Sequence, residues 1–326
     1  MNTEGHGFSL FPIGAFRKSQ VFLWICVTIL LFLFVVWFPI GGFVAGIFTP
    51  LPSSLAVYQW GVPMGLVVPV GALITGGILL ALTGGVVALP YLGLFLLMGS
   101  LIGFYGRLNR SLDYSVFVPV VIVFSLGAVF FWLRARGVEG SVWDLMADKI
   151  IKLVIILAKE RGGAGFEITP YLEEQIRRTV NLMVRLLPGI SFASLLLTGA
   201  INALSTRRFA FKNHLPLPNW QEASRWRSPD WFVWIVIGAG FLTFVPPLRI
   251  VGLNILIGSG MVYLFQGLSV LLFYMTRWRI PAWGRMIILF LVITQQYLAI
   301  AAAFLGLFDV WFDIRRLQRK TNEEIP

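Results

Sequence analysis

Apolar residues run in long blocks along this chain, and from residue 19 to residue 106 there is no Asp, Glu, Lys, Arg or His. A water-soluble domain of that length needs charged surface somewhere in it. Uncharged apolar runs of about 18 residues or more read as membrane-crossing helices. The pattern predicts a first span over 20–37, with Trp24 and Trp37 near its ends, where aromatic rings favour the membrane boundary. Phe38-Pro39 ends or kinks it. A second run, 40–58, contains Pro50-Leu51-Pro52 at its middle. Two prolines remove two donors from the helical ladder, and in lipid the freed carbonyls need other partners. Either this is one return span broken at its centre, with Thr49, Ser53 and Ser54 satisfying the freed groups, or the prolines mark the exit of the first helix. Gln59-Trp60-Gly61 reads as a short turn, followed by spans over 62–82, 86–105 and 115–131.

The pattern then changes. Between 141 and 160, charged residues alternate with Ile and Leu, which reads as an amphipathic helix. Residues 161–165 read as a flexible, Gly-rich break. Thr169-Pro170 supplies a helix start, and apolar residues recur from Leu172 to Leu187 at helical spacing. Such a helix pair suits the membrane interface or a cap over the bundle. Further spans are expected over 188–204, 231–246, 251–275 and 286–308, giving eight or nine in all. The expected fold is an all-α polytopic transmembrane bundle. Its expected parts are an N-terminal segment 1–18, five spans in 19–136, an amphipathic insertion 137–187, the remaining spans in 188–308 and a basic tail 309–326.

Composition agrees: 58% of residues are hydrophobic and 13% charged, against roughly 25% charged in soluble domains. The net charge of +11 comes from basic residues at the ends of apolar runs, as in cytoplasmic anchoring. It does not form a nucleic-acid groove. Arg17-Lys18 before the first run favours a cytoplasmic N-terminus, and Val21 onward reads as a retained span in the inner membrane. The tryptophans and arginines of 206–230 read as headgroup-level anchors.

Cys26 is the single cysteine and there are two histidines, His6 and His214, so a zinc site has little support and no metal or cofactor is expected. No span contains His or an internal Asp or Glu, which argues against an intramembrane hydrolase. No G-x-x-x-x-G-K-[ST] element is present, so energised transport would use a separate ATPase or an ion gradient. The candidate ligand-binding residues are those of the proline break, Thr49, Pro50, Pro52 and Ser53, with the carboxamides Asn202, Asn254, Gln266, Gln295 and Gln296. The carboxamides are costly in lipid unless paired, so inward-facing positions are expected, either as glue between helices or as the lining of a cavity. Asp309, Asp313, Arg315 and Arg316 are expected to form structural ion pairs at a span end.

Four stretches carry a family resemblance: Pro50-Leu51-Pro52 followed by a Gly turn, the Leu-rich helix end running into Pro188, Phe265-Gln266-Gly267-Leu268, and Gly306-Leu-Phe-Asp309-Val-Trp-Phe-Asp313. Together they resemble the DUF2232 or YybS-like family of uncharacterised bacterial membrane proteins. That family looks distantly like the S components of energy-coupling-factor transporters, six-helix membrane proteins that capture a small molecule. The resemblance implies a six-helix core in the runs before Ser205, from which the 137–187 insertion and the three later runs depart. It transfers no substrate and no catalytic residue.

Two functions are therefore expected in competition: a small-molecule binding or transport component, and a membrane scaffold acting through a protein partner. The nine-span count puts the tail opposite a cytoplasmic N-terminus. Gln318→Cys, in a chain carrying Cys26→Ser, should then label from the non-cytoplasmic side, and labelling from the cytoplasm alone rules that count out.

Overall fold

A computed structural model of the chain describes residues 13–137, 140–162, 169–218, 220 and 223–316. His6, most of the 161–165 break and the tail beyond Arg316 lie outside them. Every regular element described is helical, with twelve α-helices among the described residues. Five helices are long and apolar enough to cross a bilayer, or seven if each of two bent pairs counts as one span. This replaces the expected eight or nine. The chain divides into two compact units, Met1–Gly127 with Ser194–Glu222, and Ala128–Ala193 with Ala223–Pro326.

In the first unit, α1 (Lys18–Trp37) ends before Pro39, which opens the short α2 (Pro39–Gly46). The chain then passes through a turn into α3 (Leu51–Gly65), and α4 (Val67–Leu82) leaves it at 90°. The expected turn at 59–61 is instead a local break within α3, where Gly61 has φ 80°. Pro63, two residues on, has no N–H to offer Gln59 O, and that carbonyl accepts Ile13 N at 2.9 Å and Gly14 N at 3.3 Å. α5 (Leu89–Arg107) packs against α3, and α6 (Leu112–Ala135) follows. Ile29, Phe32 and Leu33 of α1 bury against Ala72 and Leu80 of α4 and Leu92 and Leu96 of α5. Trp24 stacks on Trp60 with ring centroids 4.8 Å apart.

α7 (Val142–Gly162) is the expected amphipathic helix, and its Ala147 and Ile151 pack on Val180 and Val184 of α8 (Pro170–Lys212). Thr169 Oγ1 accepts Leu172 N at 3.3 Å, the predicted cap. The predicted helix boundary at Pro188 is absent: α8 runs 43 residues without a stop. Its 43 residues are about twice the ~20 that a single crossing needs. Its charged first half, with Glu173–Arg177 and Glu174–Arg178 pairs, therefore continues beyond the apolar layer.

The second unit continues with α9 (Phe232–Phe244), α10 (Arg249–Arg277), α11 (Ala282–Thr294) and α12 (Gln296–Phe312). At 13 residues, about 20 Å, α9 is too short to cross a bilayer alone, which removes one expected span. The expected ninth span is bent by 101° at Gln295. α10 packs on α12 through glycines: a Cβ on Gly267 would run into Ala302 O, and one on Gly306 into Tyr263 O. Gly267→Ala or Gly306→Ala should lower the unfolding midpoint in detergent, by about 1–3 kcal/mol of overpacking. Gly238→Ala, with nothing within 4 Å of the added carbon, should leave it unchanged.

Candidate functional site

In the first unit the proline break is organised by its lost donors. Pro50 and Pro52 have no N–H, and the turn compensates with tight bonds: Thr49 N to Gly46 O at 3.0 Å and Leu51 N to Phe48 O at 3.0 Å. Asn202, on α8, donates its Nδ2 to Ile47 O at 2.7 Å and to Thr198 O at 2.7 Å. The carbonyls are thus held by 3₁₀-type bonds and by Asn202, not by Thr49, Ser53 or Ser54 as expected. Ser54 Oγ lies 2.9 Å from Thr206 Oγ1, which donates to Asn202 O at 2.8 Å. α5 closes over the turn because Gly99 and Gly103 let its backbone reach Pro50 O and Ser54 O, where a Cβ would clash. Thr49, Ser53 and Asn202 are all 0% exposed. Thr49 Oγ1, Ser53 Oγ and Asn202 Oδ1 have no hydrogen-bond partner among the described residues.

The same unit holds a second polar junction. Tyr58 Oη donates to Pro216 O, and Arg107 Nη1 donates to Tyr58 O at 3.0 Å. Trp220 is buried against Gly106, with its Nε1 donating to Ser115 Oγ at 3.2 Å. It is therefore a packing residue and not the headgroup anchor expected, because the loop before it folds back onto α3 through Tyr58.

The second unit uses the remaining carboxamides differently. Asn254, on α10, is spliced into α8 beside Pro188. Its Oδ1 accepts Gly189 N at 2.6 Å, and its Nδ2 donates to Arg185 O at 3.0 Å and to Ile250 O at 2.8 Å. It bridges the groups of a ladder bond at the proline, so the helix continues where the sequence predicted a stop. A side chain at Gly189 would strike the Asn254 backbone. Gln266 is fully buried and accepts Ser228 N and Ser228 Oγ on its Oε1, at 3.2 and 2.5 Å. Its Nε2 donates to Asp309 Oδ2 at 3.1 Å.

Asp309 forms the buried ion pair. Arg315 Nη2 lies 2.7 Å from Asp309 Oδ2, with the two side chains 0% and 1% exposed. Arg315 Nη1 donates to Ser224 O, Trp226 O and Ser269 Oγ at 2.8–3.0 Å. The pair stands six positions apart, a spacing that no continuous helix brings together. The chain does so by ending α12 at Phe312 and placing Asp313 in the left-handed region, φ 40°, which turns Arg315 back. Asp313 itself faces Arg227 at 3.7 Å, and Arg316 is exposed.

Gln295 and Gln296 depart furthest from expectation. Both are exposed, at the bend between α11 and α12, where Gln295 is extended (φ −94°, ψ 112°) and caps both helices through its backbone. Their apolar neighbours lacked any marker of that bend. Among the described residues no group of three or more His, Cys, Asp or Glu could hold a metal ion. Removing one partner of a buried pair strands the other charge, so Asp309→Ala and Arg315→Ala should each cost about 3–5 kcal/mol in unfolding measurements. The Asp309→Leu/Arg315→Met double variant should lose less than either single one.

Neither a curated protein nor a solved structure matches the chain. A family model described as "Predicted membrane protein (DUF2232)" matches residues 26–310. With helices long and apolar enough for several membrane crossings and a match over most of its length, the chain is a multi-pass membrane protein that belongs to the DUF2232 family.

Proposed function

We propose that this protein is a small-molecule binding or transport component of the bacterial cytoplasmic membrane, and that its ligand site is the proline break of the first unit. One observation carries the reading: Thr49 Oγ1, Ser53 Oγ and Asn202 Oδ1 are fully buried and have no hydrogen-bond partner among the described residues. A buried polar atom left unpaired costs about 1–3 kcal/mol. Retaining three around one turn is a stability cost that ligand binding would offset. The distant likeness to S components gives the reading a mechanistic class, capture of a solute with energy supplied by a separate ATPase.

The competing scaffold reading draws on α7. Its Leu145, Leu153, Ile156 and Leu157 are each more than 40% exposed, on a helix that also buries Ala147 and Ile151 against α8. That surface would suit a protein partner.

The two are separated by the hydroxyls of the break. In the purified, ligand-free protein, Thr49→Val and Ser53→Ala should leave the unfolding midpoint equal or raise it, since each removes an unpaired polar atom at nearly constant shape. A clear fall in both variants would show that the hydroxyls serve packing alone, and the ligand reading would fail.

A further inference from the structure

We infer that the ligand of the proline break is uncharged and offers at least one N–H or O–H to Asn202; this rests on the site reading above. The hydrogen bookkeeping of the junction fixes what is left over. Both amide hydrogens of Asn202 are spent, on Ile47 O and Thr198 O, so its remaining atom is an oxygen that can only accept. Thr206 Oγ1 spends its single hydrogen on Asn202 O. Ser54 Oγ must then be the donor in the 2.9 Å Ser54–Thr206 contact. Those two hydroxyls have no hydrogen left for Asn202 Oδ1.

Thr49 and Ser53, four residues apart, each keep a hydroxyl that can donate or accept and has no partner among the described residues. The Asn202 side chain reaches the same turn through Ile47 O. The site therefore presents one obligate acceptor and two adaptable hydroxyls. A carboxamide, an alcohol or a similar neutral group matches that set.

Charge is excluded by the surroundings. No Asp, Glu, Lys, Arg or His occurs from 19 to 106 or from 186 to 206, the stretches that build the junction. An ionic ligand buried there would lose its hydration with no opposite charge on those stretches to replace it. Neutral oxygens alone suit a carboxylate poorly, because Asn202 Oδ1 would face it acceptor to acceptor. A divalent cation would lack the anionic ligands that normally hold it.

Acetamide, acetate and acetamidinium share one shape and differ in charge, which makes them the probes. Thermal unfolding of the full-length protein in mild detergent should show saturable stabilisation by acetamide and none by the two ions or by sodium or potassium chloride. Asn202→Leu should weaken the apparent acetamide affinity by about tenfold or more, the loss of one buried hydrogen bond. Should that variant fail to fold, the Thr49→Val/Ser53→Ala chain should show the same direction of loss. Stabilisation by acetate, acetamidinium or either salt that these substitutions abolish would overturn the neutral-ligand inference and leave the site standing. No substitution-sensitive effect from any probe would overturn both.

Discussion

A proline inside a membrane helix leaves a carbonyl without its donor, and in lipid no water replaces it. Much of the polar structure in this protein answers that constraint. At Pro50 and Pro52, tight 3₁₀-type bonds and the Asn202 amide hold the carbonyls. At Pro63, the freed Gln59 carbonyl takes two backbone N–H groups from residues 13 and 14, while Tyr58 O on the same turn takes Arg107. At Pro188, Asn254 bridges the ladder and lets one helix run 43 residues. Each repair also tethers a distant stretch of chain, so the prolines that break local helices fix long-range packing within their unit.

The apolar blocks were legible because lipid imposes a length and a composition on anything that crosses it. α1, α5, α6 and α10 stand close to where the pattern of apolar residues puts them, and the Thr169-Pro170 start of α8 was readable from capping chemistry. What the pattern missed are outcomes decided by a remote partner. Pro188 reads as a boundary unless Asn254, 66 positions later, is known to stand beside it. The 101° bend at Gln295 has no proline or glycine to announce it, and the glutamines there read as interior polar groups when they are exposed at a corner. Arg315 meets Asp309 through a left-handed residue at Asp313, and spacing along a helix could not reveal that pairing. For the same reason the residue types near the candidate site were visible in the sequence, while the spent and unspent hydrogens were not.

The two asparagines differ in what their side chains leave unused. Asn254 uses both amide hydrogens and its oxygen, all on backbone groups around Pro188 and its own helix. Nothing is left for a ligand, and its role as helix glue is complete. Asn202 performs a similar repair at the Pro50 turn with its two hydrogens, yet its oxygen is buried and, like the Thr49 and Ser53 hydroxyls, has no partner among the described residues. Packing alone explains the nitrogen and not the oxygen. A leucine in place of Asn202 would lose both donated bonds of the repair. The acceptor is surplus to the repair, and a ligand that offers it an N–H or O–H would offset the cost of burying it.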